Sequence, residues 1–413
     1  MNNEEFKKLQ EAILAGNVPE MAKGIIVIAL ESGTSDIHIE PAKHTVRIRF
    51  RVDGMLREII EYPSHIHSAM TARIKIMSQL RIDEQRKPQD GRLNMVTEDR
   101  RTIELRVSTL PTIHGEKICM RLQDKNKSIP AFTDLGIVGN NLDRMNQMIK
   151  HPNGINLVTG PTGSGKTTTL YSALYDLNKP EVNIMTLEDP VEYEMPGLSQ
   201  SQVKPDIHYD FASGLKTALR QDPDIIMVGE IRDQETIEVA IKAALTGHMV
   251  LSTIHTNSAV GTITRILDMG IKPFKITSSM RTVQAQRLVR RICPYCKEEY
   301  KPELKVVEDF KNVLKRCKDR EFDPNMLDNF TLTRGKGCEK CENLGYKGRL
   351  GIYEVMTMDR DIEKLVLSGA LEAEIEDACI EKGMVTLLHD GYLKAMRGLT
   401  SLEEIMKIAS GEH

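Results

Sequence analysis

The sequence predicts an α/β protein in which a smaller α+β domain precedes a larger domain built on a parallel sheet. Alternating polar and apolar residues in the N-terminal third indicate half-buried strands. Short apolar runs separated by helical stretches follow from residue 131 and are typical of buried parallel strands. Four cysteines then mark an insert before a tail of helical segments. The domains are therefore expected at 1–127, 128–290, 291–350 and 351–413.

The N-terminal domain is predicted from short strand patterns grouped around one central helix. Residues 1 to about 22 are expected to form one or two helical turns. The segments DIHIE (36–40) and TVRIRFRVDG (45–54) alternate in polarity and indicate a hairpin, with a turn at the Asp-Gly pair. A helix is expected over 67–80, and further strands at 92–96, 102–109 and 117–122. This mixture indicates a compact, PAS-like α+β domain, which a polar linker at 123–130 would end.

The central domain is predicted from four apolar runs, which helical stretches separate. The runs are GINLVTG (154–160), VNIMTLE (182–188), DIIMVGE (224–230) and HMVLSTIH (248–255). Such an alternation indicates an open parallel sheet of the RecA-like kind. Ligands of these sheets bind outside the carboxyl ends of the strands, so the residues that end the runs are candidate site residues.

The stretch GPTGSGKT (160–167) matches the pattern G-x-x-x-x-G-K-[ST] of a phosphate-binding loop, or P-loop. Its glycines let backbone amides point at phosphate oxygens. Lys166 is expected to neutralise the β and γ phosphates of ATP, and Thr167 to offer its hydroxyl to Mg²⁺. A strand before the loop and a helix from about Gly165 distinguish it from a chance glycine-rich turn. The predicted nucleotide-binding residues are Gly160, Pro161, Thr162, Gly163, Ser164, Gly165, Lys166, Thr167 and Thr168.

Hydrolysis also needs acidic side chains for the metal and for the attacking water. We assign Glu188, at the end of the second run, as the general base. Glu230 ends the third run in the manner of a Walker B strand and is expected to contact Mg²⁺ through water. The two glutamates could exchange roles, and either could be a solvated strand end. His255 and His248, at the two ends of the fourth run, are candidate γ-phosphate sensors, with ordinary structural histidines as the alternative.

Two C-x-x-C pairs, Cys293 with Cys296 and Cys338 with Cys341, lie in the predicted insert. Four thiolates arranged in two pairs suit a tetrahedral zinc ion. A redox-active pair is the competing interpretation, but two such pairs in a cytosolic chain favour a metal. Because all four coordination positions would be filled, we expect a structural zinc rather than a catalytic one.

Ordered strings along the chain resemble the secretion ATPase superfamily, in particular the assembly ATPases of type IV pili and type II secretion. The resemblance runs from about residue 20 to the end. Beside the P-loop, the strings are GTSDIHIEP, FRVDG, RKPQDGR, LRVSTLPTIHGEK, LEDPVEY, LRQDPDIIMVGEIRD, ALTGHMVLSTIHTN, AQRLVRRIC and GYKGRLGIYEVM.

This resemblance implies a homo-hexameric motor that hydrolyses ATP and drives pilin-like subunits through an inner-membrane platform protein. It places Glu188 in the Asp box, Glu230 in Walker B, and His248 and His255 in the His box. It also places arginine fingers at two further residues, Arg92 and Arg106, for which a solvated strand face is the alternative.

The chain departs from the family in two places. Long members carry an additional N-terminal docking domain, whereas the family core begins here almost at once, so we expect that domain to be missing or removed. Arg281 and Gln284 precede AQRL where a bland apolar stretch is usual. The four-cysteine insert favours assembly or secretion over pilus retraction, because retraction ATPases generally lack it.

Composition bears on the alternatives. The net charge is −3, aromatic residues make up 4% and Trp is absent, which argues against a nucleic-acid motor. A RecA-like nucleic-acid or DNA-uptake motor nevertheless stays the alternative, beside a scaffold that binds ATP without hydrolysing it. Apolar runs fall short of the roughly 18 to 20 residues that span a bilayer. We therefore expect a cytoplasmic protein at the inner face of the cell membrane, held there through its partners.

Overall fold

The computed structural model describes residues 3–96, 102–124 and 128–409. The chain divides into two compact units, Met1–Ser128 and Ile129–His413. The end expected for the first domain, at residue 127, and part of the expected linker fall on residues 125–127, which lie outside the described residues.

The first unit combines helices with an antiparallel sheet. Its helices are α1 (Asn3–Leu14), α2 (Val18–Glu31) and α3 (His67–Met77), with a 3-10 helix at Ser64–Ile66. Its strands are β1 (Thr34–Pro41), β2 (Thr45–Val52), β3 (Met55–Pro63), β4 (Gln89–Val96), β5 (Thr102–Thr112) and β6 (Gly115–Asp124). The N-terminal helices extend well beyond the one or two turns predicted, because the apolar run at 24–30 continues α2 and packs into the core.

The sheet of the first unit has the strand order β3-β2-β1-β6-β5-β4, and each described pairing is antiparallel. One face is apolar and packs against the helices, with Ile37, Phe50 and Leu105 buried in the core. The other face is charged. There the antiparallel register of β4 and β5 places Arg92 directly opposite Arg106. Side chains opposite each other in such a pair lie on the same face of the sheet.

The second unit is built on a larger mixed sheet. Its strands are β7 (Gly154–Thr159), β8 (Ile184–Glu188), β9 (Leu198–Gln202), β10 (Ile225–Val228), β11 (Met249–Ile254), β12 (Met280–Ile292), β13 (Lys297–Tyr300), β14 (Leu332–Gly335) and β15 (Tyr346–Thr357). Its α-helices are α4 (Gly139–Met148), α5 (Lys166–Leu177), α6 (Phe211–Ala218), α7 (Gln234–Leu245), α8 (Gly261–Asp268), α9 (Pro273–Ser279), α10 (Leu304–Leu314), α11 (Arg360–Ser368), α12 (Glu372–Glu381), α13 (Leu387–Met396) and α14 (Leu402–Ala409). Short 3-10 helices lie at Pro205–Ile207, Pro324–Asp328 and Glu339–Cys341.

The main sheet of this unit follows the order β15-β12-β7-β11-β10-β8-β9. The pairings from β12 to β9 are parallel, and β15 is antiparallel to β12. The four predicted runs form β7, β8, β10 and β11, which confirms the predicted parallel core. The boundaries expected after residues 290 and 350 fall inside β12 and β15, because these strands pair with each other as part of the main sheet.

The cysteine-bearing segment leaves the main sheet at the end of β12 and returns at the start of β15. Between them, β13 and β14 form a two-stranded antiparallel sheet. After β15 the chain forms four helices, α11 to α14, among the described residues. None of the helices in the described ranges combines the length and the apolar character that crossing a bilayer requires.

Candidate active site

The P-loop connects β7 to α5 and has a backbone that favours glycine at several positions. Gly160, Gly163 and Gly165 have φ angles of 148°, 79° and 87°. A Cβ atom on Gly160 would lie 2.4 Å from the carbonyl oxygen of Gln286, so a larger residue does not fit there. The side chain of Lys166 donates hydrogen bonds to the carbonyl oxygens of Gly160 (2.9 Å) and Pro161 (3.0 Å). The loop therefore holds the ammonium group of Lys166 near the start of α5.

Lys166 is only 9% exposed, and its surroundings change its protonation. Burial lowers the pKa of its ammonium group to about 8, and the nearby Arg287 acts in the same direction, whereas Glu230 raises it. Thr167, next along the helix, is exposed. Its hydroxyl is thus open to the Mg²⁺ of a bound nucleotide, as the P-loop pattern requires.

Two buried glutamines of β12 support the P-loop from behind, and sequence reasoning did not identify them as site residues. Gln286 donates from Nε2 to the carbonyl oxygen of Ser164 (2.6 Å) and accepts from Thr169 Oγ1 (2.8 Å). Gln284 donates to Gln286 Oε1 at 2.8 Å. The signal for them was two amides in a strand that is otherwise apolar enough to be buried, since buried amides need partners.

Glu188 ends β8, as predicted, but its carboxylate points into a hydrogen-bonded interior. The side chain is 3% exposed. It accepts hydrogen bonds from the Tyr171 hydroxyl (2.5 Å), the Thr186 hydroxyl (2.6 Å) and Gln200 Nε2 (3.2 Å). Burial and the Glu188 charge raise the pKa of Tyr171, so the phenol stays a donor. The carboxylate is therefore occupied in joining α5, β8 and β9.

Glu230 follows β10, and its charge raises the pKa of the Lys166 ammonium group. Its side chain is 16% exposed, and it forms an ion pair with Arg232. His255 Nε2 lies 3.5 Å from Glu230 Oε2, with the imidazole half exposed. A backbone hydrogen bond holds the residue before Glu230 against β8: the N–H of Gly229 donates to the carbonyl oxygen of Leu187 (2.7 Å). The structure thus brings Lys166, Glu230 and His255 together at one edge of the sheet.

The two histidines of the fourth run lie at opposite edges of that sheet. His248 precedes β11, and its ring bonds the Ala243 carbonyl oxygen at 2.9 Å through Nδ1. The six residues of β11 separate it from His255, which corresponds to about 20 Å at the rise of a strand. The structure therefore does not bring His248 to the P-loop, and its ring contacts the end of α7 instead.

The predicted arginine fingers lie in the first unit, on the charged face of its sheet. Arg92 on β4 is aligned with Arg106 on β5, and Arg106 with Arg121 on β6. Arg121 is aligned with Asp36 and donates to it at 2.9 Å. Sequence reasoning missed Arg121, although its place in the alternating β6 pattern puts it on the face of Arg106. Three guanidinium groups thus form one row across neighbouring strands.

The four predicted cysteine ligands form a compact cluster. Their sulfur atoms all lie within 4.8 Å of one another. Three of the separations are 3.9 Å (Cys293–Cys338), 3.8 Å (Cys296–Cys341) and 3.7 Å (Cys338–Cys341). A tetrahedron with Zn–S bonds near 2.3 Å has edges of about 3.8 Å. The cluster therefore has the size that a zinc ion requires.

Backbone amides also prepare one of these sulfur atoms for a metal. The N–H groups of Cys338 and Gly345 lie 3.2 Å and 3.3 Å from the Cys341 sulfur. Burial opposes ionisation of the Cys341 thiol, but these amides favour the thiolate, and its pKa falls to about 6. A thiolate is the form that binds zinc.

A P-loop between a parallel strand and a helix, with an acidic residue after a neighbouring strand, is typical of the class of P-loop nucleotide hydrolases. The chain belongs to the family described as Type II/IV secretion system protein, whose model matches residues 12–407. It is therefore a secretion ATPase, and it hydrolyses ATP. The resemblance and the enzyme class inferred from the sequence are confirmed.

The relatives of this chain include proteins of both secretion and pilus machines. It is 46% identical to Type II secretion system ATPase E of Vibrio cholerae, over 92% of this chain and 73% of that protein. It is 45% identical to Type IV pilus assembly ATPase PilB of Myxococcus xanthus, over 98% of this chain and 71% of that protein. The two identities are nearly equal and do not separate the two kinds of machine.

Solved structures show the same fold. The Legionella pneumophila ATPase DotB has a TM-score of 0.68 at 21% identity, and the match covers 95% of this chain and 96% of that one. The pilus retraction motor PilT, solved with bound ADP, has a TM-score of 0.62 at 25% identity, with 93% and 95% covered. The predicted fold class is confirmed.

Proposed function

We propose that this chain is the ATP-driven motor of a machine that assembles type IV pili or a type II secretion pseudopilus. The observation that carries the proposal is the position of Lys166, Glu230 and His255 just beyond the carboxyl ends of the neighbouring parallel strands β7, β10 and β11. The relatives named for both machines supply the biological context. In this proposal ATP hydrolysis drives movement, and no chemical group passes to a second substrate.

In the proposed reaction the P-loop amides and Lys166 hold the triphosphate, and Thr167 binds Mg²⁺. Mg²⁺ would neutralise phosphate charge, as it does in other P-loop enzymes. We assign the general base to Glu230 rather than Glu188. Glu230 is partly exposed and its charge acts on Lys166, whereas three donors occupy the buried Glu188 carboxylate. His255, within 3.5 Å of Glu230, would sense the γ-phosphate and orient that carboxylate.

We propose further that Arg92 and Arg106 act as arginine fingers in a ring of six chains. One lysine leaves much of the transition-state charge on the γ-phosphate unopposed, and an arginine finger supplies the missing charge. The alignment of both side chains on one charged face supports this role, and Arg121 extends the same row. The ring would pass its motion to an inner-membrane platform protein and so act at the cytoplasmic face of the membrane, without direct contact to nucleic acid.

We propose that the four cysteines bind one structural zinc ion. The sulfur separations and the hydrogen bonds to Cys341 support it. Zinc would hold β13 and β14 against the ends of β12 and β15, since metal binding is coupled to the folding of such small segments.

Measurements of ATP hydrolysis on single variants test the assignment of roles. Lys166→Ala should abolish ATP binding, whereas Glu230→Gln should bind ATP and lower kcat by about 10² to 10⁴. Glu188→Gln should act mainly through stability, because it disturbs a buried hydrogen-bond network. Glu235→Gln, an exposed glutamate on α7, is the matched control.

Undiminished turnover of both Lys166→Ala and Glu230→Gln would contradict the proposed function. Normal turnover of Glu230→Gln alone, with loss in Glu188→Gln at unchanged stability, would return the base to Glu188.

A further inference from the structure

Arg287, on β12, is a buried cation that the assignments above leave without a role. It is 6% exposed. One terminal nitrogen donates to the carbonyl oxygen and to the side-chain Oδ1 of Asn257, both at 3.1 Å. The other donates to its neighbour's carbonyl oxygen, that of Gln286, at 3.2 Å. Arg287 thus links the strand that supports the P-loop to the segment that follows β11.

That segment carries His255, and it is held at several points. Thr159, the last residue before the P-loop, bonds through its hydroxyl to the Thr256 hydroxyl at 2.7 Å. Glu354, on β15, accepts a hydrogen bond from the Ala259 backbone at 2.7 Å. Between these two points, Asn257 is held by Arg287. The backbone next to His255 therefore depends on a side chain from β12.

Arg287 also acts electrostatically on Lys166. The charged groups that act on Lys166 are Glu230, which follows β10, and Arg287 on β12. The charged group that faces Arg287 from β15 is Glu354. Burial lowers the pKa of Arg287, yet a guanidinium remains charged at any ordinary pH. Arg287 thus keeps a permanent positive charge in the interior, and its effect on the pKa of Lys166 opposes that of Glu230.

We propose that Arg287 is a positioning residue of the phosphate site, which fixes the His255 segment through Asn257 and, as a buried positive charge, strengthens nucleotide binding. The inference rests on the nucleotide binding at the P-loop proposed above. It assigns two separable effects to one side chain. The charge should act on nucleotide affinity, and the bonds to Asn257 should act on turnover.

The affinity effect is tested by titrating ADP into the full chain by calorimetry, from about pH 6 to about pH 10. Arg287→Met should weaken ADP binding by about tenfold at neutral pH, because a nearby charge is lost. In the wild type, affinity should fall as the pH rises through about 8, where Lys166 loses its proton. Without Arg287 the lysine pKa rises, so this fall should move to higher pH. Arg291→Met, an exposed arginine of the same strand, is the matched control.

The turnover effect is tested at neutral pH with Asn257→Ala, which keeps the guanidinium, and with Arg287→Lys, which replaces it by an ammonium group. Both should lower kcat by about tenfold with KM little changed, since only the hold on the His255 segment is weakened. Asn257→Ala, which keeps the guanidinium, should not move the pH at which ADP affinity falls. Thermal unfolding of each variant shows whether it is folded.

Two outcomes would overturn the inference. One is Arg287→Met matching Arg291→Met in ADP affinity and pH dependence while Lys166→Ala loses binding. The other is Asn257→Ala turning over at the wild-type rate, which also decides the case should Arg287→Met not fold. If Lys166→Ala binds ADP as the wild type does, the proposed function fails instead.

Discussion

At the scale of single residues, Glu354 is a carboxyl group placed in the interior of the second unit. It accepts hydrogen bonds from the backbone N–H groups of Ala259 (2.7 Å) and Leu387 (3.4 Å). Burial raises its pKa from the ordinary value of 4.5 to about 7, although these amides and Arg287 act in the opposite direction. The side chain therefore changes charge close to neutral pH.

This titration predicts a loss of stability as the pH rises. The unfolded chain releases the Glu354 proton near pH 4.5, whereas the folded chain keeps it until about pH 7. Between these values the unfolded state binds fewer protons, so the free energy of unfolding falls with increasing pH. Glu354→Gln stays neutral and lacks this loss. Relative to the wild type, its free energy of unfolding should rise by up to about 3 kcal/mol across this range.

Urea unfolding at a series of pH values measures the effect. Glu308→Gln, an exposed glutamate on α10, should leave the wild-type pH dependence unchanged. Parallel curves for Glu354→Gln and the wild type would show that Glu354 ionises normally in the folded chain.

Residue types at motif positions were predictable, but side-chain directions were not. The P-loop pattern identified Lys166, because few backbone shapes can cradle phosphate. Glu188 ends β8 and Glu230 follows β10, and only the structure shows that Tyr171 and Gln200 donate hydrogen bonds to the Glu188 carboxylate. His248 was placed in the site by its motif, although the length of β11 separates it from the P-loop.

At the scale of secondary structure, β12 and β15 connect the cysteine cluster to the main sheet. Cys293 follows β12 directly, and β15 begins shortly after Cys341. The two strands are paired from Thr282–Thr357 to Ile292–Tyr346. The ends of this pair are therefore where the metal would stabilise the unit.

We expect one zinc ion per chain, and we expect its removal to lower the melting temperature. Cys293→Ser should reduce the zinc content and destabilise β13 and β14, because three ligands hold the metal less tightly than four. Metal analysis and thermal unfolding, with and without a chelator, measure both effects. Cys119→Ser, a half-buried cysteine of the first unit, is the matched control. Full stability in the presence of a strong chelator would contradict a structural metal.

The parallel strands were predictable from their apolar runs, whereas the two long strands were not. β12 contains Gln284, Gln286 and Arg287 among its apolar residues, so the pattern alone does not show that these polar side chains are buried. Their partners come from the P-loop and from Asn257, far away in the chain, and no local pattern contains that information. This is why the boundaries expected after residues 290 and 350 fell within strands.

At the scale of the whole molecule, the chain separates into two units with their own cores. The first carries the arginine row, and the second carries the P-loop. The division was predictable because the pattern changes from alternating to continuous apolar strands near residue 130. The assembly that would use both units was inferred from the family and stays a proposal.

A ring of six predicts that inactive chains impair active ones. Mixtures of wild-type and Lys166→Ala chains should lose activity more steeply than in proportion to the inactive fraction. Arg106→Ala chains alone should lose turnover by about 10³ to 10⁵ while still binding ATP. ATPase assays on mixtures, with the mass of the assembly measured by light scattering, test this. Arg81→Ala, an exposed arginine of the same unit, is the control. A strictly proportional loss with a monomeric mass would exclude the ring.

The placement of β12 has a mechanical consequence. It is paired with β7 on one side from Met280 to Ala285 and with β15 on the other from Thr282 to Ile292, so it is a central strand over residues 282–285. A force applied to Cys293 along the strand would load the hydrogen bonds to β7 in shear. These bonds would then have to break together and not one after another. A force on the cysteine cluster would thus be transmitted along β12 to the backbone behind Ser164 with little displacement lost.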